Sequence, residues 1–221
     1  MEVLYIDRWL VVINKTAGLL SIQDGYDLSA PHVRTEIEPE FGRCWIVHRI
    51  DKETSGVLLL ARTKEAHRSF SILFEERKIV KEYRAIVAGK PHDIEFEINL
   101  PLRVNGDRKH RTVVDLERGK PALTRIQVIS SNRNCSLLNV KPSTGYTHQI
   151  RAHLAYAGFP LLGDPLYSPT VNKVRLESYL SINRVALHAY SISFFHPFTQ
   201  KELIITAPNP RDFSELLESF K

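Results

Sequence analysis

The sequence predicts an α+β fold around a mostly antiparallel mixed sheet. Three observations predict this fold. Apolar runs of strand length dominate the chain, many links between them are short, and amphipathic helical patterns are few and scattered. A parallel βαβ fold would instead need helices alternating regularly with strands. The length of 221 residues suits one domain, so we expect a single domain over residues 1–221.

The first part of the chain favours strands followed by one helix. Residues 2–15 predict two short strands around a turn at 7–9, because both halves are rich in Val, Ile and Leu. The apolar runs CWIVHRI and GVLLLAR predict two more strands. Thr63 is a suitable N-cap for a helix from residue 64 to about residue 77. One apolar stripe is predicted on this helix, made of Ala66, Phe70, Leu73 and Phe74.

The second part of the chain continues in the same manner. Predicted strands are VKEYRAIVAG, the alternating IEFEINL, a hairpin of PALTRIQVIS and CSLLNVK, and finally ALHAYSISFF and ELIITAP. Gly145-Tyr146-Thr147 opens a helix from about His148 to Ala157, which Gly158 ends. RDFSELLESF predicts a closing amphipathic helix. The helices are therefore too few to separate every pair of strands.

Composition narrows the class of protein. The net charge of +5 and the isoelectric point near 9.2 favour a polyanionic partner. The two cysteines form no CxxC pattern and the nine histidines form no HExxH pattern, so we expect no metal. No apolar run approaches the roughly 20 residues of a membrane span, and the N-terminus does not resemble a signal peptide. We expect a cytoplasmic monomer that needs no cofactor.

The segment RVNGDRKHR, residues 103–111, concentrates positive charge. It holds four Lys or Arg residues against one Asp, and Asn105-Gly106 marks a turn. Two interpretations are open on charge alone, namely a solvated hairpin tip and a loop that contacts phosphates. The candidate RNA contacts within it are Arg108, Lys109 and Arg111.

The segment HRIDKETSG, residues 48–56, places charges at the end of a predicted buried strand, where they are costly unless paired or functional. Strand alternation would put Arg49 and Asp51 on one face. A local ion pair with Asp51 capping a turn is the structural alternative. Two other residues suit a site: Arg151 on a core-anchored helix offers a rigid fork for a carboxylate or phosphate, and Tyr83 offers a ring for base stacking.

Taken together, these segments identify a family. The chain resembles the RluA family of RNA pseudouridine synthases in VINKTAGLLS, HRIDKETSG, KEY and GYTHQIRAHLAYAGFPLLGDPLY. The four segments occur in the family's order and span most of the chain. The family usually has Arg at the position of Tyr146 and Pro at that of Thr16. The first departure removes a phosphate contact.

The resemblance implies roles for individual residues. Asp51 matches the catalytic aspartate, Tyr83 the tyrosine that stacks on the target base and takes part in proton transfer, and Arg151 the arginine that pairs with the aspartate. Further residues implied at the substrate site are Arg49, Lys81 and Ile150. The resemblance also implies a catalytic domain of the short form, without an S4-type RNA-binding domain, acting on ribosomal or transfer RNA. Its fold would be the pseudouridine synthase catalytic fold, with two lobes and flanking helices around a central basic cleft.

The implied reaction breaks the C1′–N1 bond of uridine, rotates the base and rejoins it through C5. It requires a carboxylate near C1′ and C2′, as nucleophile or base, and a group that removes the C5 proton. It needs no redox step and no metal. Two alternatives are open: a non-catalytic RNA-binding or ribosome-assembly factor on the same fold, and a hydrolase that releases free uracil. No second carboxylate stands out as the partner that hydrolysis would require.

Overall fold

Strands and helices of the protein fall into two units in the computed structural model, which describes residues 1–168 and 183–218. Unit 1 comprises Met1–Lys81 and Ala189–Pro208, and unit 2 comprises the described residues of Glu82–His188 and Asn209–Lys221. In chain order the strands are β1 (Glu2–Ile6), β2 (Leu10–Lys15), β3 (Trp45–Ile46), β4 (Ser55–Ala61), β5 (Val80–Ala88), β6 (Glu95–Asn99), β7 (Leu102–Arg103), β8 (Val113–Val114), β9 (Leu123–Ser131), β10 (Cys135–Pro142), β11 (Leu187–Phe195) and β12 (Glu202–Thr206). The described helices are α1 (Val33–Phe41), α2 (Lys64–Glu75), α3 (Gln149–Tyr156) and α4 (Arg211–Glu218).

Unit 1 is built on β2 and β4, whose residues are almost all buried because both strands are nearly continuous apolar runs. The pairs β1/β2, β2/β4, β3/β4 and β11/β12 are antiparallel. Helix α2 packs Phe70 edge-on against Phe194, with ring centroids 5.7 Å apart. This core carries the segment that contains Asp51, since that segment leads directly into β4.

Gly56 in β4 accounts for the glycine of the HRIDKETSG segment. Its φ of +111° lies in a region that residues with a side chain rarely adopt. A Cβ built on this residue would overlap the carbonyl oxygen of Ala189. The close approach of β4 to residue 189 therefore requires glycine.

Unit 2 contains an antiparallel ladder in the order β5, β10, β9, β6, with the small hairpin β7/β8 beside it. Helix α3 buries Ile150 and Leu154 against apolar residues of the ladder such as Val140. Helix α4 buries Phe213 and Leu216 in a second cluster. The burial of Ile150 and Leu154 fixes the helix that carries Arg151 to the ladder.

The α+β class with a mostly antiparallel sheet is confirmed, and most predicted elements are present. The Oγ1 atom of Thr63 accepts the amide of Ala66 at 3.1 Å, as an N-cap should. Helix α2 ends two residues earlier than predicted. Residues 219 and 220 of the predicted closing helix lie outside the described residues. The basic cleft and the single domain over residues 1–221 stay predictions.

One prediction about unit 1 is wrong, and one helix of this unit was not predicted. The predicted strand CWIVHRI is strand only at Trp45 and Ile46, because the chain leaves the β4 edge after two paired residues. Helix α1 was absent from the prediction. It has only Val33 and Ile37 buried and contains Pro39, so its apolar periodicity is too weak to indicate a helix.

Candidate functional site

The segment around Asp51 in unit 1 is not a strand. Since residues 47–51 have no regular structure, strand alternation does not apply, and the prediction that it sets Arg49 and Asp51 on one face is wrong. Arg49 is exposed and Asp51 is half-buried. The Asp51 carbonyl accepts the amide of Thr54 at 3.0 Å, which closes a turn after the carboxylate.

The main chain just before Asp51 is held by one hydroxyl. The Oγ atom of the buried Ser21 donates to the Ile50 carbonyl at 2.7 Å and accepts the Ile50 amide at 3.3 Å. Both polar groups of Ile50 are thereby satisfied by one side chain. The residue adjacent to the candidate carboxylate has a defined backbone position despite its irregular conformation.

The main chain just after Asp51 is held by Lys15. This lysine is fully buried, and its Nζ donates to three carbonyls, those of Thr16 at 2.9 Å, Leu19 at 2.7 Å and Lys52 at 3.1 Å. The Lys52 carbonyl also accepts the amide of Gly18 at 2.9 Å. An ammonium with three donors is well matched to three converging carbonyls. This role of Lys15 was not predicted, although the lysine interrupts an apolar run in VINKTAGLLS.

Two titratable side chains of unit 1, His48 and Lys81, have lowered pKa values. The Nε2 atom of His48 accepts the amide of Leu59 at 3.0 Å, and its ring stacks on Phe74 with centroids 4.5 Å apart. Desolvation, with a smaller contribution from the Lys81 ammonium, lowers the pKa of His48 to about 3. Burial, followed by the Arg77 guanidinium, lowers the pKa of Lys81 to about 8. His48 is therefore neutral at physiological pH, and Lys81 titrates close to it.

Tyr83 and Ile150 lie together in unit 2. Tyr83 is on β5 opposite Val140 of β10, and its partly buried ring packs against the apolar cluster that contains Ile150. A tyrosine in this position presents a flat ring supported by a sheet. The structure thus brings two of the predicted site residues into one cluster.

Arg151 is the third residue of α3 and is only 4% exposed. Its guanidinium makes a bidentate ion pair with Asp164, with Nε–Oδ2 at 2.7 Å and Nη2–Oδ1 at 2.8 Å. The sequence predicted that this fork pairs with a carboxylate or a phosphate, but it did not single out Asp164, which lies in the GDPLY part of the quoted motif. The predicted pairing of Arg151 with Asp51 stays a prediction.

Buried polar side chains lock the start of α3. The amide group of Gln149 accepts the hydroxyl of Thr144 at 2.7 Å and donates to the Leu123 carbonyl at 3.1 Å. His153, one turn later, contacts the Thr124 hydroxyl at 2.8 Å and the Leu100 carbonyl at 3.0 Å. Such fully bonded buried groups rigidify the helix that carries Arg151.

The basic loop, residues 103–111, begins at the last residue of β7 and makes up most of the link to β8. Its cations differ in their surroundings. Arg103 pairs with Asp115 at 2.7 Å, and Arg111 pairs with Asp107 at 2.7 Å. The side chains of Arg108 and Lys109 are exposed, and neither makes an ion pair within residues 1–168 and 183–218. Arg108 and Lys109 therefore keep their charges available to a polyanion. The charges of Arg103 and Arg111 are partly neutralised by their ion pairs and are less available.

The two cysteines, Cys44 and Cys135, are free and buried. Burial raises the pKa of Cys135 to about 11, so this thiol is inert. In the part of the chain that the structure describes, no three His, Cys, Asp or Glu side chains are grouped to hold a metal ion. None of the described helices has the length and apolar character to cross a membrane.

Known proteins resemble this chain over most of its length. Residues 9–156 match the family described as RNA pseudouridylate synthase. The dual-specificity RNA pseudouridine synthase RluA of Pasteurella multocida is 35% identical over 209 residues, which cover 94% of this chain and 93% of that protein. The ribosomal large subunit pseudouridine synthase C of Buchnera aphidicola is 33% identical over 220 residues, covering 98% of this chain and 70% of that protein.

A solved structure gives the same result for the fold. The human RNA pseudouridylate synthase domain containing 4 matches with a TM-score of 0.81 at 27% identity, covering 99% of this chain and 92% of that one.

Proposed function

Because the chain belongs to the RNA pseudouridylate synthase family, we propose that it isomerises specific uridines of ribosomal RNA, transfer RNA or both to pseudouridine. The observation that carries this proposal is the near full-length match to a dual-specificity RNA pseudouridine synthase. The name of the Buchnera relative supports ribosomal RNA as a substrate class, and transfer RNA is the class that the motif resemblance adds. A cytoplasmic location and a monomeric state belong to the same proposal.

Asp51 is proposed as the reacting carboxylate. The reaction breaks the C1′–N1 bond and forms a C1′–C5 bond, so the proton lost from C5 balances the proton gained at N1. The carboxylate of Asp51 acts either by attack on C1′ or as a base at the sugar. Ser21 and Lys15 support this role because they hold the main chain on both sides of Asp51.

Tyr83 and Arg151 are proposed to complete the catalytic set. The uridine must leave the RNA stack to reach a carboxylate, and an aromatic ring on a rigid strand can hold the flipped base. The Arg151 guanidinium is proposed to stabilise the charge of Asp51. Ile150 and Lys81 are proposed to line the substrate site, and Arg49 to contact the RNA from its exposed position.

Arg108 and Lys109 are proposed as phosphate contacts. Both side chains are exposed on the link between β7 and β8. Exposed cations on one loop can replace the counterions of an RNA backbone at low desolvation cost. Arg108 and Lys109 are thereby assigned to RNA affinity rather than to chemistry.

The proposal is tested with the full chain and unmodified ribosomal and transfer RNA transcripts. After nuclease digestion, chromatography separates pseudouridine from uridine, which has the same mass. Asp51→Asn keeps the side-chain shape but removes the charge, so we expect intact RNA binding and a rate lower by about a thousandfold or more. Asp93→Asn alters an exposed carboxylate of unit 2 and serves as the control.

Each other result has a definite meaning. Pseudouridine formation by Asp51→Asn at the wild-type rate would show that another residue is the reacting group. Free uracil would identify a hydrolase. Tight RNA binding by the wild type without any pseudouridine would favour the non-catalytic RNA-binding factor.

A further inference from the structure

We propose that Asp164 and Tyr167 are positioning residues that clamp the guanidinium of Arg151, and that Arg111 of the basic loop belongs to this clamp. The inference rests on the proposed function, because it concerns the residue that is proposed to stabilise the reacting carboxylate. It assigns Arg111 a different role from the phosphate contact that the sequence predicted. All four residues lie in unit 2.

Asp164 is built to hold one orientation of Arg151. Its side chain is completely buried, and each carboxylate oxygen accepts one N–H of the arginine fork. Its Oδ1 atom also accepts the amides of Leu166 at 3.0 Å and Tyr167 at 3.2 Å. The carboxylate is thereby fixed to its own turn, and two parallel hydrogen bonds fix the plane of the guanidinium.

Tyr167 provides the second contact to the same guanidinium. The Cζ atom of Arg151 lies 5.2 Å from the centroid of the Tyr167 ring, within cation–π range. The Tyr167 hydroxyl accepts the amide of Thr112 at 2.9 Å and donates to the Thr112 carbonyl at 3.1 Å. The ring is therefore tied to Thr112, which directly precedes β8.

Arg111 joins the basic loop to the clamp. Its Nε atom donates to Asp107 at 2.7 Å, its Nη1 atom donates to the Leu166 carbonyl at 2.9 Å, and its Cζ atom lies 5.8 Å from the Tyr167 centroid. These contacts hold the turn 164–167 against the loop. An arginine engaged on both edges of its guanidinium has less capacity for a phosphate than the exposed Arg108.

The contacts form a continuous path from the loop to the catalytic candidate. The guanidinium of Arg111 contacts the Tyr167 ring, and the same ring contacts the guanidinium of Arg151. The Asp164 carboxylate accepts hydrogen bonds from the Arg151 side chain and from the Tyr167 main-chain amide. Loss of a clamp member should misplace the guanidinium without removing its charge. Small misplacements of a catalytic group can cost about a hundredfold in rate.

The decisive experiment compares two buried or half-buried ion pairs of unit 2. Asp164→Asn removes the charge that holds Arg151, whereas Asp212→Asn removes the equivalent charge from the bidentate pair with Arg184. We expect Asp164→Asn to lower the single-turnover rate about a hundredfold with RNA affinity within twofold. Asp212→Asn should lower the melting temperature but leave the single-turnover rate unchanged.

A double-mutant cycle separates positioning from general destabilisation. Arg151→Lys keeps the positive charge but cannot use the carboxylate fork, so Asp164→Asn should cause little further loss of rate in that background. Rate losses that multiply would overturn the proposal. If Asp164→Asn does not fold, Tyr167→Leu replaces it, and an unchanged single-turnover rate in this variant would equally overturn the clamp.

The salt dependence of RNA binding tests the role of Arg111. If Arg111 belongs to the clamp, Arg111→Gln should lower the single-turnover rate and leave the slope of RNA affinity against salt unchanged. If Arg111 instead contacts a phosphate, the substitution should lower that slope by about one. A lowered slope with an unchanged rate would overturn this part of the proposal. A wild-type protein that makes no pseudouridine overturns the proposed function, whereas an active wild type with an equally active Asp164→Asn overturns the clamp alone.

Discussion

Asp51 of unit 1 and Arg151 of unit 2, which are proposed for the same reaction, are held in different ways. Asp51 lies on irregular chain whose neighbours are fixed through their main-chain groups by Ser21 and Lys15. Arg151 lies on a helix and is fixed through its own side chain by Asp164. The Asp51 carboxylate is half-buried and Arg151 is almost fully buried.

This difference lies in which groups hold each residue. Replacing Asp51 leaves the hydrogen bonds of Ser21 and Lys15 to the main chain in place, so the backbone of this segment should keep its position. Replacing Arg151 leaves the fully buried Asp164 carboxylate without its fork, which is costly. The loss of Arg151 should therefore lower the stability of the protein as well as its activity.

The largest expected effect is that of Arg151→Ala. We expect the free energy of unfolding to fall by about 3–5 kcal/mol, because a buried carboxylate loses its partner, together with loss of pseudouridine formation. Urea denaturation measures the first and nucleoside chromatography the second. Arg151→Ala combined with Asp164→Ala should recover part of the stability but none of the activity. A stability equal to that of the wild type would contradict the side-chain anchoring of this region.

Lys15→Met tests the main-chain anchoring of the other region. The substitution removes the donor shared by three carbonyls, and we expect the free energy of unfolding to fall by roughly 2–3 kcal/mol. Lys52→Met is the matched control, because Lys52 contributes its carbonyl and its side chain is exposed. Similar denaturation curves for the two variants would show that Lys15 does not hold the segment after Asp51.

The lowered pKa of His48 predicts that the stability of the protein falls at acid pH. Its folded-state pKa of about 3 lies below the unfolded value near 6.5, so the unfolded chain binds the proton first as the pH falls. The stability contributed by neutral His48 is present above pH 6.5 and is lost between about pH 6.5 and 3. Below pH 6, wild-type stability should fall more steeply than that of His48→Gln, by up to about 1.4 kcal/mol per pH unit.

Urea denaturation between pH 7.5 and 4.5 measures this difference. His92→Gln, on an exposed turn of unit 2, should keep the wild-type dependence on pH. Parallel profiles for His48→Gln and the wild type would mean that His48 takes up its proton equally well in the folded chain.

The smallest expected effect concerns the basic loop. Arg108→Gln combined with Lys109→Gln should lower the slope of RNA affinity against salt by about two at most, because each exposed cation releases about one counterion. Arg103→Gln should change the slope less, since Arg103 is paired with Asp115. Filter binding at several salt concentrations distinguishes them. Equal slopes for the double variant and the wild type would make the loop tip a solvated turn.

Sequence patterns were sufficient where local residues decide structure. The near-continuous apolar runs of β2 and β4, the alternation in β6 and the Thr63 cap were all predicted, because each signal is contained within a few residues. The strand predicted over CWIVHRI failed, since apolar content alone does not show where a chain leaves the edge of a sheet. Helix α1 was missed because Pro39 and sparse apolar positions weaken its pattern.

The sequence by itself determined the family, the α+β class and the candidate catalytic residues, because short motifs keep their residues in a fixed order along the chain. Only the tertiary structure decided the partners of the buried charges. Lys15 reaches a carbonyl 37 residues away, Arg151 pairs with a carboxylate 13 residues away, and Arg111 donates to a carbonyl 55 residues away. Such pairings depend on which segments approach one another in the folded chain. Because a buried charge without a partner is costly in free energy, each of these charges is paired with a group that folding brings close to it.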